Sequence, residues 1–348
     1  MPVDPPLIVP VFIPHSGCSH RCVFCNQESI TGKRAQALCL PQIRNGIDTF
    51  LDGCRKTKRR VQLAFYGGNF LGLPANDAGT LLEMSMEFVK RHRIDGIRFS
   101  TRPDTIDSGR LELIRRYPID AVELGVQSMD DTVLALCRRD HTAADSETAV
   151  ALLKEQGWQI GLQLMVGLPG DDEDRCMETA RRVAALSPDF VRIYPAVVLE
   201  GSPLARAFRR GEYVPWTLAG SVSIVKRMYL IFHEKKIRVI RMGLQATADL
   251  DRKGVILAGP YHPALGHLVL SEIYLDRAVM AMGAAGMTEK RMRGRTVEIH
   301  IAPRCVPRMR GDKNRNINLL QEMFGLCAVK VIADSAMKED QVTVKDRT

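Results

Sequence analysis

"QIGLQLMVGLPGDDEDRCMETARRVAALSPDFVRIYPAVV" (residues 159–198) sets two apolar runs, Gln159–Pro169 and Phe190–Val198, on either side of a segment, Asp174–Leu186, whose apolar residues recur at helical spacing. Each run has strand length, and Gly, Pro and Asp punctuate the passage between strand and helix. The stretch therefore reads as one strand–helix–strand unit, whose strands pair in parallel through a right-handed crossover. The same alternation extends toward the N-terminus. Strands are expected at Leu7–His15, Val61–Gly68, Gly96–Arg102 and Ala121–Gln127, and helices at Ala78–His92 and Asp145–Gly157. Six strands, each followed by helical sequence, predict an α/β fold with its chemistry at the C-terminal ends of the strands, where the loops open.

Composition sets the outer limits. The chain has 348 residues, 45% of them hydrophobic and 26% charged, which suits one barrel-sized domain with a smaller appendage. Its longest apolar runs, such as Leu7–Ile13, fall far short of the roughly 20 residues of a membrane span, so no membrane partner is expected. "MPVDPP" has neither the basic start nor the apolar stretch of a signal peptide, which makes the reducing cytoplasm the expected compartment. Nine cysteines are then not a disulfide framework. Lysine and arginine outnumber aspartate and glutamate by 49 to 40, a formal charge of +9. That excess favours an anionic partner such as a phosphate-rich cofactor or nucleic acid. Part of it is local, at Arg55–Arg60 and across Glu289–Arg315.

Three of the cysteines stand together. Cys18, Cys22 and Cys25, in "CSHRCVFC", follow directly on the first expected strand with the spacing C-x3-C-x2-C. Structural zinc usually takes four ligands arranged as two pairs, and no second pair is present. Cys39, Cys54, Cys137, Cys176, Cys305 and Cys327 are isolated and read as small buried hydrophobes or unused thiols. Three thiolates without a fourth suit an iron–sulfur cluster that leaves one iron open. His15 and His20 flank this loop.

With its aromatic Phe24 before the third cysteine, the motif resembles that of the radical S-adenosylmethionine (SAM) superfamily. "FYGGNF" (65–70), "STRPDTID" (100–107), "VELGVQS" (122–128), "MVGLPGD" (165–171) and "VRIYPAVVLEGSPL" (191–204) follow in order. Together they look most like the core of the Elongator catalytic subunit and its shorter bacterial relatives, over about residues 7–245. The resemblance implies a partial (β/α)6 TIM-like barrel. It implies that Cys18, Cys22 and Cys25 hold a [4Fe-4S] cluster whose open iron is chelated by SAM. One electron, from a reductant such as flavodoxin or ferredoxin, then splits SAM into methionine and a 5′-deoxyadenosyl radical that takes a hydrogen atom from the substrate. Beyond the cluster no catalytic residue is required.

The resemblance also assigns the SAM contacts, and the residues have physical reasons of their own. Gly67 and Gly68 end a strand where a side chain would block the approach of a ligand to the backbone, here the SAM amino group. Asn69 stands where relatives carry a small hydroxyl residue or glutamate. Gln127 ends the fourth strand and both donates and accepts hydrogen bonds, as a ribose or carboxylate requires. Arg139, twelve positions on, has the spacing of the arginine that relatives place on the SAM carboxylate. Gln163 lies where coproporphyrinogen-oxidase-like relatives carry an aspartate that contacts SAM. Glu123 points the same way as Gln127, because strand side chains alternate. Tyr194, at the end of the sixth strand, is a candidate for steering substrate.

Substrate identity is expected to lie beyond the core. The Elongator subunit carries an acetyltransferase domain and works on the wobble uridine of transfer RNA, and the roughly 100 residues left here are too few for that domain. Residues 246–295 read as a helical extension (Ala258–Val279) with a basic linker, and residues 296–348 as a small α+β module: strand Thr296–Pro303, helix Asn314–Gly325, strand Ala328–Met337. Arg308, Arg310, Lys313 and Arg315 precede that helix and are candidate RNA contacts. The leading expectation is a radical SAM enzyme acting on RNA, with transfer RNA the candidate. A radical SAM enzyme acting on a small anionic molecule or tetrapyrrole is the alternative, and a cluster protein without SAM turnover is the third.

Overall fold

Seven strands line up in one all-parallel sheet in the order in which the chain makes them: β1 (Leu7–Phe12), β2 (Val61–Tyr66), β3 (Gly96–Thr101), β4 (Ile119–Gln127), β5 (Gln159–Val166), β6 (Phe190–Pro195) and β7 (Arg238–Met242). The computed structural model describes residues 5–19, 21–31, 38–54 and 59–347. His20 and the Arg55–Lys58 part of the first basic stretch lie outside the described residues. Helices α1 (Leu40–Gly53), α2 (Ala75–Lys90), α3 (Ser108–Arg115), α4 (Ala143–Lys154), α5 (Glu173–Ala185) and α6 (Leu218–Glu234) precede β2 to β7 in turn.

The sheet is strongly curled. Tyr66 on β2 and Arg192 on β6 are four strands apart, which is about 19 Å across a flat sheet. Their hydroxyl oxygen and Nη2 nevertheless lie 3.4 Å apart. Side chains from distant strands meet in this way only on the concave face of a half-barrel. The other face is apolar and buried: Leu63, Phe65, Phe99, Val122, Leu164 and Ile193 are each 0% exposed. Phe70, in the turn after β2, stacks on Phe65 (5.0 Å between centroids) and Phe99 (4.7 Å). Phe70→Ala is expected to cost about 3–5 kcal/mol in chemical denaturation, because a fully buried ring leaves a cavity. A loss below about 1 kcal/mol would show that this core collapses around the gap.

Local chemistry sets the helix ends. Thr142 and Asp145 form a reciprocal capping box, so α4 starts two residues before the expected Asp145. Asp172 caps α5 by accepting from the Arg175 amide. The seventh strand is not among the six expected. It is a short edge strand with Arg238 exposed and Arg241 half-exposed, and so has no apolar run.

A second unit, Ala264–Thr348, is compact by itself. Its sheet has the order β9-β8-β10, with β8 (Thr296–Ile301) parallel to β9 (Ala328–Ala333) and antiparallel to β10 (Val342–Arg347). Helices α7 (Leu265–Ala284), α8 (Val306–Arg310) and α9 (Arg315–Phe324) complete it. The unit begins at neither 246 nor 296, because Tyr274, Ala278 and Met282 of α7 share one core with Val297, Ile299, Leu320 and Phe324. Ala258, the expected start of that helix, lies instead in a ribbon pairing Ile256–Ala258 with Val198–Leu199. The strand β10 is also new. Thr343, Lys345 and Arg347 face out along it, which hides its apolar half.

Candidate functional site

Residues 13–26 leave β1 at the C-terminal edge of the sheet and carry the three cysteines. His15 Nε2 accepts from the Gln27 amide at 3.2 Å and so closes the loop on itself. Val23 donates to the Cys137 carbonyl (3.1 Å) and accepts from the Leu204 amide (2.8 Å), which fixes the middle of the loop to its neighbours. Cys22 is buried, and Cys18 and Cys25 are half-buried. Burial pushes the Cys25 thiol up to about 12, with the Cys22 and Cys18 sulfurs adding to the effect. Cys18 is raised by burial and then by Cys22. Thiols that repel one another as thiolates need a cationic centre to hold them together.

Among the described residues no three His, Cys, Asp or Glu side chains converge as the ligands of a single ion do. A zinc with 2.3 Å bonds would draw its sulfurs to about 3.8 Å apart.

The glycine turn after β2 lies directly against this loop. His15 donates to the Gly67 carbonyl (2.9 Å), and Asn69 donates to the Ser16 carbonyl (2.8 Å). Gly67 has φ +86°, which favours glycine. A Cβ on Gly68 would meet the Ser16 and Ile13 carbonyl oxygens at 2.5 and 2.6 Å. The close approach that needs glycine here is therefore that of the cysteine loop itself. Asn69 is also committed to the protein. Its Oδ1 accepts from Thr101 Oγ1 (2.7 Å), the Arg102 amide (3.0 Å) and Thr105 Oγ1 (3.1 Å), and its Nδ2 donates to the Gly17 carbonyl (3.1 Å). The Asn69 side chain is thus a hub joining the loops after β1, β2 and β3.

Arg139, from beyond β4, reaches the cysteine loop. Arg139 is 5% exposed, with Nη1 3.2 Å from Cys22 Sγ and Nη2 2.5 Å from the Gly125 carbonyl. Its buried Nε has no hydrogen-bond partner. An orphaned guanidinium donor beside three thiols is a position that an anionic ligand satisfies. Gln163 Nε2 reaches Gln127 Oε1 at 3.4 Å, so the two glutamines from β4 and β5 meet. Three residues here hold left-handed backbone: Gln127 (φ +69°), Arg138 (φ +53°) and Asp140 (φ +44°). Such strain clusters at ligand sites. Arg102, unassigned in the sequence, supports Arg139 by donating to its carbonyl at 2.8 Å while pairing with Asp104. "STRPD" was the available signal for it.

Glu123 does point onto the concave face, and there it is gripped by Arg98 and Arg192. Tyr194 lies beside Arg192, its hydroxyl 3.4 Å from Nη1. Both arginines were legible as charges at alternating positions in otherwise buried strands.

In the second unit, the four basic residues are not one loop before a helix. Arg308 and Arg310 belong to α8, Lys313 is in the left-handed region (φ +49°) and Arg315 opens α9. Arg308 lies 3.6 Å from Glu339, and Arg315 pairs with Glu272 at 2.5 Å. Arg310 and Lys313 are exposed.

Comparison with known proteins gives this arrangement a context. The model of the radical SAM superfamily matches residues 12–183, and that of the radical SAM C-terminal domain matches residues 188–274. A tRNA uridine(34) acetyltransferase of Methanocaldococcus jannaschii is 27% identical over 313 residues, covering 75% of this chain and 54% of that protein. Elongator complex protein 3 of Saccharomyces cerevisiae is 26% identical over 190 residues, 49% of this chain and 34% of that one. The chain spans about half the length, or less, of the curated relatives it matches. Among solved structures, the archaeal Methanocaldococcus infernus Elp3 with an N-terminal deletion superposes with a TM-score of 0.59 at 22% identity, over 82% of this chain and 64% of that one, a likeness of fold. No helix among the described residues is long and apolar enough to cross a membrane.

Proposed function

The chain belongs to the radical SAM superfamily, whose enzymes use a [4Fe-4S] cluster and SAM, and from that premise we propose that it cleaves SAM reductively and uses the radical to modify RNA, with transfer RNA the first candidate. The observation that carries the reading is Arg139, which touches Cys22 with one nitrogen and leaves another buried without a partner. Cys18, Cys22 and Cys25 hold the cluster, which when bound supplies the electron that breaks a carbon–sulfur bond of SAM to give the 5′-deoxyadenosyl radical. Arg139 holds the SAM carboxylate, and Gln127 with Gln163 offers amide donors and acceptors to the ribose or methionine end. Gly67 and Gly68 keep the cysteine loop close. A protein reductant such as flavodoxin or ferredoxin delivers the electron.

With dithionite, the reconstituted protein is expected to convert SAM to 5′-deoxyadenosine. Arg139→Ala is expected to keep its iron and to bind SAM about 10- to 100-fold more weakly, the effect of losing one charge-assisted hydrogen bond. Unchanged SAM affinity in that variant would remove Arg139 from the site.

The relatives named for tRNA uridine support the RNA step, as do the exposed cations of the second unit. Arg310→Ser with Lys313→Ser is expected to lower the slope of log affinity against log salt for transfer RNA by about 1.5 to 2, because each phosphate contact releases counterions. If transfer RNA binds no better than a random polyanion, and nucleosides from cells with and without the gene are identical, the small anionic molecule becomes the better substrate.

A further inference from the structure

The concave face carries a charged cluster that SAM cleavage does not use. Glu123, in the middle of β4 and 4% exposed, receives Arg98 from β3 (Nη1 to Oε1, 3.3 Å) and Arg192 from β6 (Nε to Oε2, 2.7 Å). The Tyr66 hydroxyl donates to the same Oε1 at 2.9 Å. Arg98 lies over the Phe190 ring at 5.2 Å, and Arg192 over the Tyr66 ring at 5.7 Å. Two guanidiniums therefore share one carboxylate, and one positive charge is left over inside the curl of the sheet. Arg98 Nε is buried with no hydrogen-bond partner. Leaving a net charge inside the curl of the sheet is costly unless an anion completes the set.

The two arginines are not equivalent. The Arg98 side chain is 6% exposed and sealed behind Glu123, whereas that of Arg192 is 18% exposed. Tyr66, Gln163 and Tyr194, around Arg192, are likewise only partly buried. Arg192 is thus the more accessible of the two guanidiniums. We propose that Arg192, backed by Arg98, docks an anionic oxygen group, carboxylate or phosphate, of the molecule this enzyme modifies. The planar guanidinium matches either group. Glu123 neutralises one of the two guanidiniums and leaves the excess charge at Arg192. The assignment rests on the reading of the concave face as the place where the radical meets its substrate.

Calorimetric titration in a chloride buffer tests the site, with inorganic phosphate, malonate, uridine and uridine 5′-monophosphate as probes. Wild-type protein is expected to bind at least one of the three anions at millimolar concentration or below. Preference for uridine 5′-monophosphate over uridine identifies a nucleotide phosphate as the source, and preference for malonate a small carboxylate. Arg192→Gln is expected to weaken that binding about tenfold or more. It leaves the Arg98–Glu123 pair neutral, so the fold survives. Arg192→Lys is expected to retain most of the affinity. Glu123→Gln raises the local charge and is expected to tighten binding severalfold, the opposite of what damage to a structural cluster would do. No anion binding by wild-type protein, equal binding by Arg192→Gln, or weakening in Glu123→Gln overturns the proposal. SAM affinity is measured on the same samples. Anion binding without SAM binding overturns the cofactor assignment and leaves the arginine site standing, and SAM binding without anion binding does the reverse.

Discussion

Cys22→Ala, reconstituted with iron and sulfide in the absence of oxygen, is expected to hold less than about a tenth of the iron of wild-type protein, which should bind about four per chain and show a brown absorption that air bleaches. Cys22 is the most buried of the three loop cysteines and the one that Arg139 touches. Its loss removes a thiolate and leaves another donor of Arg139 without an acceptor. Cys137→Ala is the matched control. Cys137 is also buried, and burial lifts its thiol to about 12, and its hydrogen bond to the loop, from the Val23 amide, is made by its carbonyl, which the substitution keeps. That variant should keep its iron. A full complement of iron in Cys22→Ala, or zinc as the sole metal of wild-type protein, would end the reading of the loop as a cluster site.

Gly68→Val should be nearly as damaging, and in a way that the sequence by itself does not foretell. From the motif alone, a branched side chain there blocks SAM and spares the cluster. In the fold, its Cβ would fall 2.5 Å from the Ser16 carbonyl and 2.6 Å from that of Ile13, both backbone atoms of the cysteine loop. Neither retreats as a flexible side chain does, so the loop must move. We therefore expect Gly68→Val to lose most of its iron together with its SAM binding, and Gly68→Ala to do so in part. Iron content and SAM affinity measured on one preparation decide it. Full iron with SAM binding lost would restore the simpler account.

How much was legible follows from the range of each interaction. The cysteine trio is local, and its spacing can be read directly. The long apolar strands can be read too, because burial on the convex face of a parallel sheet demands them. Two of the missed strands lie at sheet edges: Val342–Arg347 turns Thr343, Lys345 and Arg347 to solvent, and Arg238–Met242 is five residues long with Arg238 and Ile240 exposed, so neither shows an apolar run. Contacts across the fold were beyond reach. Arg139 meets Cys22 over 117 residues, and Arg192 meets Glu123 over 69. Asn69 is instructive here. Its place beside two glycines suggests a ligand contact, and its carbonyl oxygen also takes three donors from the end of β3 and the turn after it that no local pattern announces.

The left-handed residues around Arg139 bear on how the protein can be engineered for heat. A non-glycine residue in that conformation carries about 1 kcal/mol or more of strain. Selection for thermal tolerance alone should therefore accept glycine at Arg138, Asp140 and Gln127, whose φ values are +53°, +44° and +69°. The first two exchanges lie beside Arg139 without altering its side chain, and should raise the melting temperature with SAM affinity largely retained. The third removes the amide that meets Gln163, and should raise the melting temperature while lowering affinity. A sturdier protein that binds less at Gln127→Gly, and one that binds as before at Asp140→Gly, would mark which of these strained positions is maintained for function and which for the turn alone.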